Sequence, residues 1–209
     1  GRAAIARALF GLDRRLDGSI TINETKTVIK NPRDAIKERI GYLCEDTVNN
    51  LINNLGIIEN ITVSNIHAVQ KAGFMLHKKE KKIAQDFIWK FHIKAPDLYG
   101  KIDNLSKGTQ QKVAICRWVF ARTNILLLEE PTNGLDKSTK IELYNFMNFY
   151  IQNGKSIILI SSDINELMGM CDRILILYDK KIIKEIYRKD FSEEKLIFYA
   201  MGGENPNLL

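Results

Sequence analysis

Long apolar stretches are missing from this chain. Its longest hydrophobic runs, LIFYAM at 196–201 and ILILY at 174–178, are far too short for any segment to cross a bilayer as a helix. No signal-peptide pattern opens the chain, so any membrane role is exerted through a partner. Cysteine is scarce. Cys44, Cys116 and Cys171 lie far apart with no paired spacing, which excludes a disulfide framework or a zinc site. They read as buried thiols of a reducing compartment. His67, His77 and His92 are equally scattered and read as core or surface residues. Charge of one sign is not extreme either: the formal net charge is +6. That suits a phosphate-bearing ligand or an acidic membrane face, and solvated lysines explain it as well. An initiator Met is also absent. An apolar helical pattern (Ala4, Ile5, Ala8, Leu9) begins at once with nothing ahead of it to cap it, which reads as a chain whose front is missing.

What is present suits one domain with a sizeable core in 209 residues. A short helix is predicted over 3–10 and a hairpin-like pair over 18–30. NPRDAIKER has a cap-like Asn31 and then Pro32 at the first helical position, so a short helix follows. IGYLC (40–44) is a strand, and the Asn-rich 45–62 reads as a loop. From about Val63 to His92 the pattern is helical with Lys-rich outer faces. APDLYGKIDNLS connects to a helix over 107–122. ILLLE is a buried strand, 137–153 a helix, and KSIILIS a strand of the kind found in the middle of a parallel sheet. INELMGM is a short helix, DRILILYD and KIIKEIY are two strands joined by a turn, and SEEKLIFYAM is a closing helix. Strands alternating with helices make the chain α/β, with a helical insert.

Two stretches carry chemistry. Glu129 and Glu130 follow ILLL directly, at the carboxyl end of a strand where α/β sheets bind ligands. One carboxylate can hold Mg²⁺ and the next can orient a water for attack on a phosphoryl group. Alone, the pair equally fits an acidic strand-to-turn corner. The following PTNGLD tips the balance, because it puts Asp136 on a tight turn. The second stretch is Ser106, Lys107, Gly108 and Thr109. A hydroxyl and small residues at a helix N-terminus offer free N–H groups and a positive dipole end, which suits a phosphate. Alone, Ser106 is an ordinary cap.

Together, LSKGTQQK (105–112) and ILLLEEPTNGLD (125–136) resemble the signature, Walker B strand and D-loop of ATP-binding cassette (ABC) ATPases. NPRDAI at 31–36, QQK at 110–112 and ISSDINELMGMCDRILIL at 160–177 bring the likeness closest to the C-terminal cassette of tandem simple-sugar importers. The resemblance spans the whole chain. It implies a P-loop NTPase-like fold, with a mainly parallel sheet flanked by helices and a helical subdomain over about 60–122. It also implies that the strands and most of the phosphate loop of a full cassette precede residue 1, so the 209 residues alone are expected to lack ATPase activity. The implied cofactors are ATP and Mg²⁺. The implied partners are a second cassette, transmembrane permease subunits and, indirectly, a sugar-binding protein, at the cytoplasmic face of the membrane.

Residue by residue, the resemblance puts Gly1, Arg2 and Ala3 at the end of the phosphate loop and Glu45 at the Q-loop position. Ser106, Lys107, Gly108 and Thr109 lie in the signature. Glu129 takes the Mg²⁺-side place, Glu130 that of the catalytic carboxylate, Asp136 that of the D-loop acid and Ser162 that of the switch His. Five positions depart from the pattern, Ser162 among them because it lacks the imidazole of the switch His. Arg2 keeps a positive charge but with fork geometry. Ala3 has no hydroxyl for Mg²⁺, Glu129 is one methylene longer than the usual Asp, and Lys107 replaces a glycine. In the family each nucleotide is held by the phosphate loop of one cassette and the signature of the other. The departures at Ala3, Glu129 and Ser162 therefore weaken the site this chain builds itself, while Ser106 and Gly108 serve the partner's. Three readings follow: a transport ATPase subunit, a non-hydrolysing regulatory cassette, or an ABC ATPase acting on nucleic acid or the ribosome. The last predicts a long helical arm or basic linker, which the sequence does not contain, so no nucleic-acid partner is expected.

Overall fold

Three strands with their carboxyl ends on one edge organise the molecule: β3 (Ile40–Leu43), β6 (Ile125–Glu129) and β7 (Ser156–Ile160), parallel and in the order β3-β6-β7. The computed structural model of the chain describes residues 1–46, 50–95 and 97–203. Around this sheet stand α1 (Arg2–Phe10), the hairpin β1 (Ile20–Ile22) and β2 (Thr25–Thr27), and α2 (Pro32–Lys37). Next come α3 (Ile57–Thr62), a small hairpin β4 (Gln70–Lys71) and β5 (Phe74–Met75), α4 (His77–Lys90) and α5 (Lys107–Phe120). The chain ends with α6 (Lys137–Gln152), α7 (Ile164–Met170), the hairpin β8 (Arg173–Tyr178) and β9 (Lys181–Tyr187), and α8 (Glu193–Ala200). The α/β expectation with a parallel sheet therefore holds.

The run ILLL at 125–128 is apolar throughout because both faces of the sheet are covered. Leu126 and Leu128 point with Leu43 into a core shared with α3, α5 and α6. Leu127 points the other way, with Tyr42 and Ile40, onto Ala6 and Phe10 of α1 and Ala35 of α2. A third cluster joins Ile174, Ile176 and Ile186 of the last hairpin to Leu196 and Tyr199 of α8. Asn31 caps α2 as its position ahead of Pro32 foretold, its side chain accepting from the amides of Arg33 and Asp34.

Three expectations are corrected. The loop expected over 45–62 contains α3, because Ile57, Ile58 and Ile61 find a core to fill. Its residues 47–49, like Pro96 of the connector, lie outside the described residues. The asparagines that suggested a loop include a structural one. The Asn60 amide donates to the carbonyls of Ile52, Leu55 and Gly56, each at 3.0 Å, and its oxygen accepts from the Ile52 amide. The helix expected from Val63 to His92 is broken by short 3₁₀ turns over 63–69 and by the β4–β5 hairpin, with α4 only after it. Ala72 and Gly73 both have positive φ (50° and 84°), the conformation a tight hairpin turn requires. Finally, β7 is not in the middle of the sheet: β6 is its only ladder partner among the described residues, and Ile158 is 44% exposed.

The cysteines are free. Cys116 is buried, Cys44 and Cys171 are half-buried, and burial pushes all three thiols up, Cys171 to about 11. Arg117 of α5 ties the insert together. It donates to the carbonyls of Asn50 (2.6 Å) and Asn60 (2.9 Å) and to the Asn60 side chain. Burial pulls its guanidinium down to about 10, and the three acceptors offset that cost. Arg117→Ala strands those oxygens, so urea unfolding should show a loss of about 2–3 kcal/mol, with no change in the far-UV spectrum of the folded state.

Candidate functional site

The parallel register sets the site. Glu129 stands opposite Ile160, so the acidic pair emerges beside Ser161 and Ser162, while Cys44 and Glu45 follow the end of β3. Glu130 has φ 43°, an uncommon left-handed conformation for a non-glycine residue, and its amide donates to the Ile160 carbonyl at 2.8 Å. Its side chain is thereby turned towards β7. There Ser162 Oγ donates to Glu130 Oε2 at 3.1 Å, and the Arg2 guanidinium lies 2.9 Å from Oε1. The contact with Arg2 meets ion-pair distance but not hydrogen-bond geometry.

Glu129 faces the other way. Its Oε2 accepts from the buried hydroxyl of Tyr42. Burial first, and the bond to Glu129 second, raise the Tyr42 phenol well above its ordinary value, so it stays a donor. A cavity of about 910 Å³ opens here, and Ala3, Arg7, Tyr42, Cys44, Glu45 and Glu129 all line it. Gly1 caps α1 and Ala3 lies in its first turn, so the start of α1 and the end of β6 share one surface.

The turn after the acids is held from three sides. Gln111 of α5 donates to the Pro131 carbonyl at 3.0 Å, and Asn133 donates to Glu45 at 3.2 Å. Asp136 ends the turn as the cap of α6. It accepts from the Thr139 amide (3.0 Å), the Ser138 hydroxyl (2.5 Å) and the Thr139 hydroxyl (2.6 Å). Those hydroxyls, Ser138 first, hold its carboxyl well below the usual range.

Ser106 caps α5, accepting from the Thr109 amide at 3.3 Å, with the two hydroxyls 2.9 Å apart. Ser106 and Lys107 are exposed. A side chain at Gly108 would meet Thr139 at 2.8 Å, and the Lys107 ammonium reaches to 3.2 Å from where a Gly134 side chain would begin. Gly134 has φ 70°. Thus the residues predicted from sequence fall into two groups. Arg2, Ala3, Glu129, Glu130 and Ser162 meet at the sheet edge, with Glu45 at the cavity rim. Ser106, Lys107, Gly108 and Thr109 form a separate exposed helix start, packed on α6 next to Asp136. Sequence reasoning missed Tyr42, Gln111 and Thr139. QQK was noticed as a pattern, but the partner of Gln111 lies 20 positions away. Tyr42 gave no signal, because only the β3–β6 register aims it at Glu129.

A family described as ABC transporter matches residues 1–133, and the chain belongs to it. It is 38% identical over 204 residues to the ribose import ATP-binding protein RbsA of Oceanobacillus iheyensis, covering 97% of this chain and 41% of that protein. It is 36% identical to the xylose import ATP-binding protein XylG of Thermoanaerobacter pseudethanolicus, covering 98% and 41%. The chain thus spans about two fifths of the length of these relatives. Among solved structures it is similar to the ATP-binding cassette MJ0796, described as a dimeric post-hydrolysis state bound to ADP and Pi. The TM-score is 0.74 at 24% identity, covering 91% of this chain and 82% of that one. It is likewise similar to cbiO1 of Clostridium perfringens, with TM-score 0.73 at 19% identity over all of this chain and 81% of that one. The chain is an ABC ATP-binding cassette related to sugar-importer ATPases, a family that generally hydrolyses ATP.

The contact beneath the exposed helix start gives a direct check. Gly108→Ala forces a methyl against Thr139 and should cost about 1–3 kcal/mol. Thr139→Ser removes the methyl in the way and should restore most of that loss in a denaturation series.

Proposed function

We propose that this chain is the ATP-binding cassette of a simple-sugar importer and that its main task is to complete the nucleotide site of a second cassette. The observation that carries the reading is the separation of the two groups. The start of α5, exposed at Ser106 and Lys107 and half-buried at Gly108 and Thr109, is placed to face a nucleotide seated on another cassette. The chain's own site is impaired, because Ala3 brings no hydroxyl to the cavity it shares with Glu129. Glu130 is already engaged by Arg2 and Ser162. The names of the ribose and xylose import relatives support the substrate class.

In this reading Gly1, Arg2 and Ala3 lie beside the phosphates of ATP, and Arg2 supplies charge. Glu130 holds the water-orienting place but with its carboxylate taken up by Ser162 and Arg2, and Asp136 holds the turn that follows. Glu45 links the cavity rim to transmembrane permease subunits, which receive the sugar from a binding protein. The cassette sits as a peripheral subunit on the cytoplasmic face of the membrane. None of the described helices is long and apolar enough to cross it. The donor set fits Mg²⁺ held mainly by phosphate and water. No cage of three metal-binding side chains exists among the described residues, and Mg²⁺ with nucleotide needs only one or two carboxylates. Glu129 would hold it through the oxygen that Tyr42 leaves over. When bound, the ion neutralises charge that develops on the phosphoryl oxygens.

The test is ATP turnover by the intact protein. Glu130→Gln should change the rate by less than about twofold, while the matching change in the partner cassette should lower it by about a hundredfold or more. Loss of turnover with Glu130→Gln would overturn the impaired-site reading. Ala3→Ser supplies the missing hydroxyl and should raise turnover and its Mg²⁺ dependence; no change in either would remove the main support.

A further inference from the structure

In the reading above Tyr42 only occupies one oxygen of Glu129, and the way the structure holds it points to more. In the β3–β6 ladder Tyr42 pairs with Leu127. Glu129 lies two residues beyond Leu127, on the same face of the sheet, so it is the diagonal neighbour of Tyr42. Both side chains are buried, each residue only 7% exposed. The Tyr42 ring cannot swing away. It packs on Phe10, with ring centroids 5.5 Å apart, and Phe10 packs edge-on against Trp118 at 5.7 Å. The hydroxyl at the end of that fixed ring donates to Glu129 Oε2.

A buried phenol needs a partner, and so does a buried carboxylate. Here each satisfies the other, and the match depends on length. An aspartate at 129 would draw its carboxylate back by about one carbon–carbon bond, roughly 1.5 Å. The hydroxyl held by Phe10 could not follow. The glutamate at a position where its family usually has a shorter acid therefore comes with a device that immobilises its extra rotatable bond. The bond uses one carboxylate oxygen and leaves the other unclaimed by Tyr42, in a residue that lines the cavity together with Ala3.

We propose that Tyr42 is a positioning residue. Its hydroxyl fixes Glu129 in the one orientation in which its free oxygen can meet a divalent cation carried by a nucleotide. The inference rests on the proposal that this site takes a nucleotide with Mg²⁺, and goes beyond it by assigning the residue that makes Glu129 usable. Hydrogen bonds to a metal-binding carboxylate from outside the coordination sphere have this effect in general: they set orientation without touching the metal.

Mn²⁺ is the probe, since its binding in the presence of ATP is read directly by electron paramagnetic resonance on the intact protein. Tyr42→Phe keeps the ring and its packing and removes only the hydroxyl. It should weaken Mn²⁺–ATP binding by about tenfold or more, while ATP binding in EDTA stays within about twofold. Glu129→Asp leaves the aromatic cluster untouched and should show the same selective loss. On the Glu129→Asp background, Tyr42→Phe should then have no further effect. A merely structural role would weaken binding equally with and without metal, and that result overturns the proposal. So do losses that simply add in the double variant, which would mean that the two side chains act independently. If the unchanged protein binds no nucleotide with or without metal, both this proposal and the nucleotide reading fall. Metal-dependent binding that ignores Tyr42 overturns this proposal alone.

Discussion

Everything in this chain follows from the pairing of β6 between β3 and β7. Parallel strands in register bring three carboxyl ends to one edge, and each end carries a polar residue that an isolated strand could not place. Glu45, the Glu129–Glu130 pair and Ser162 come from segments more than 30 residues apart in sequence. The hydrogen-bond ladder makes them neighbours, and the two-sided apolar cover makes that ladder rigid. Slipping β6 by one residue would exchange Leu127 for Leu126 and Leu128 and turn Glu129 to the other face.

At the end of β6 the chain separates two adjacent acids. Glu129 still follows the pleat and joins Tyr42 on the α1 side. Glu130 leaves the strand in a left-handed conformation that costs on the order of 1–3 kcal/mol, and its carboxylate turns towards Ser162 and Arg2. That strain is held by neighbours: the Ile160 carbonyl behind the Glu130 amide, and Gln111 on the Pro131 carbonyl. Two carboxylates that are consecutive in sequence thus meet different partners in different surroundings, which is what unlike roles at one site require.

The second device is the contact between the starts of α5 and α6. Gly108 is small because Thr139 lies against it, and Thr139 is also the residue whose amide and hydroxyl Asp136 accepts. A single threonine therefore locks the exposed helix start to the turn that follows the acids. The turn itself is tied to Glu45 by Asn133 and to α5 by Gln111.

Local chemistry was legible from the residues alone. The Asn31–Pro32 start of α2, the Ser106 cap, the tight turn at Asp136 and the last hairpin arise from interactions within a few positions of each other, and the apolar run ILLL by itself marks a buried strand. The family was legible too, since LSKGTQQK and ILLLEEPTNGLD carry it in their residues alone. Other features needed the folded chain. The Asn-rich 45–62 looked like a loop throughout because so many of its side chains are polar, yet it contains α3. Asn60 of that helix is folded inward on carbonyls four to eight residues back and meets Arg117 of α5. The helical pattern after Val63 hid a hairpin, because Ala72 accepts positive φ only when its neighbours demand it. The pairings Tyr42 with Glu129, Gln111 with Pro131 and Gly108 with Thr139 join residues far apart in sequence. Sequence determines which side chains can donate, accept or cap, because that is covalent chemistry. Which of them meet was decided by strand register and helix packing, because a hydrogen bond forms only between atoms that burial has already brought within reach.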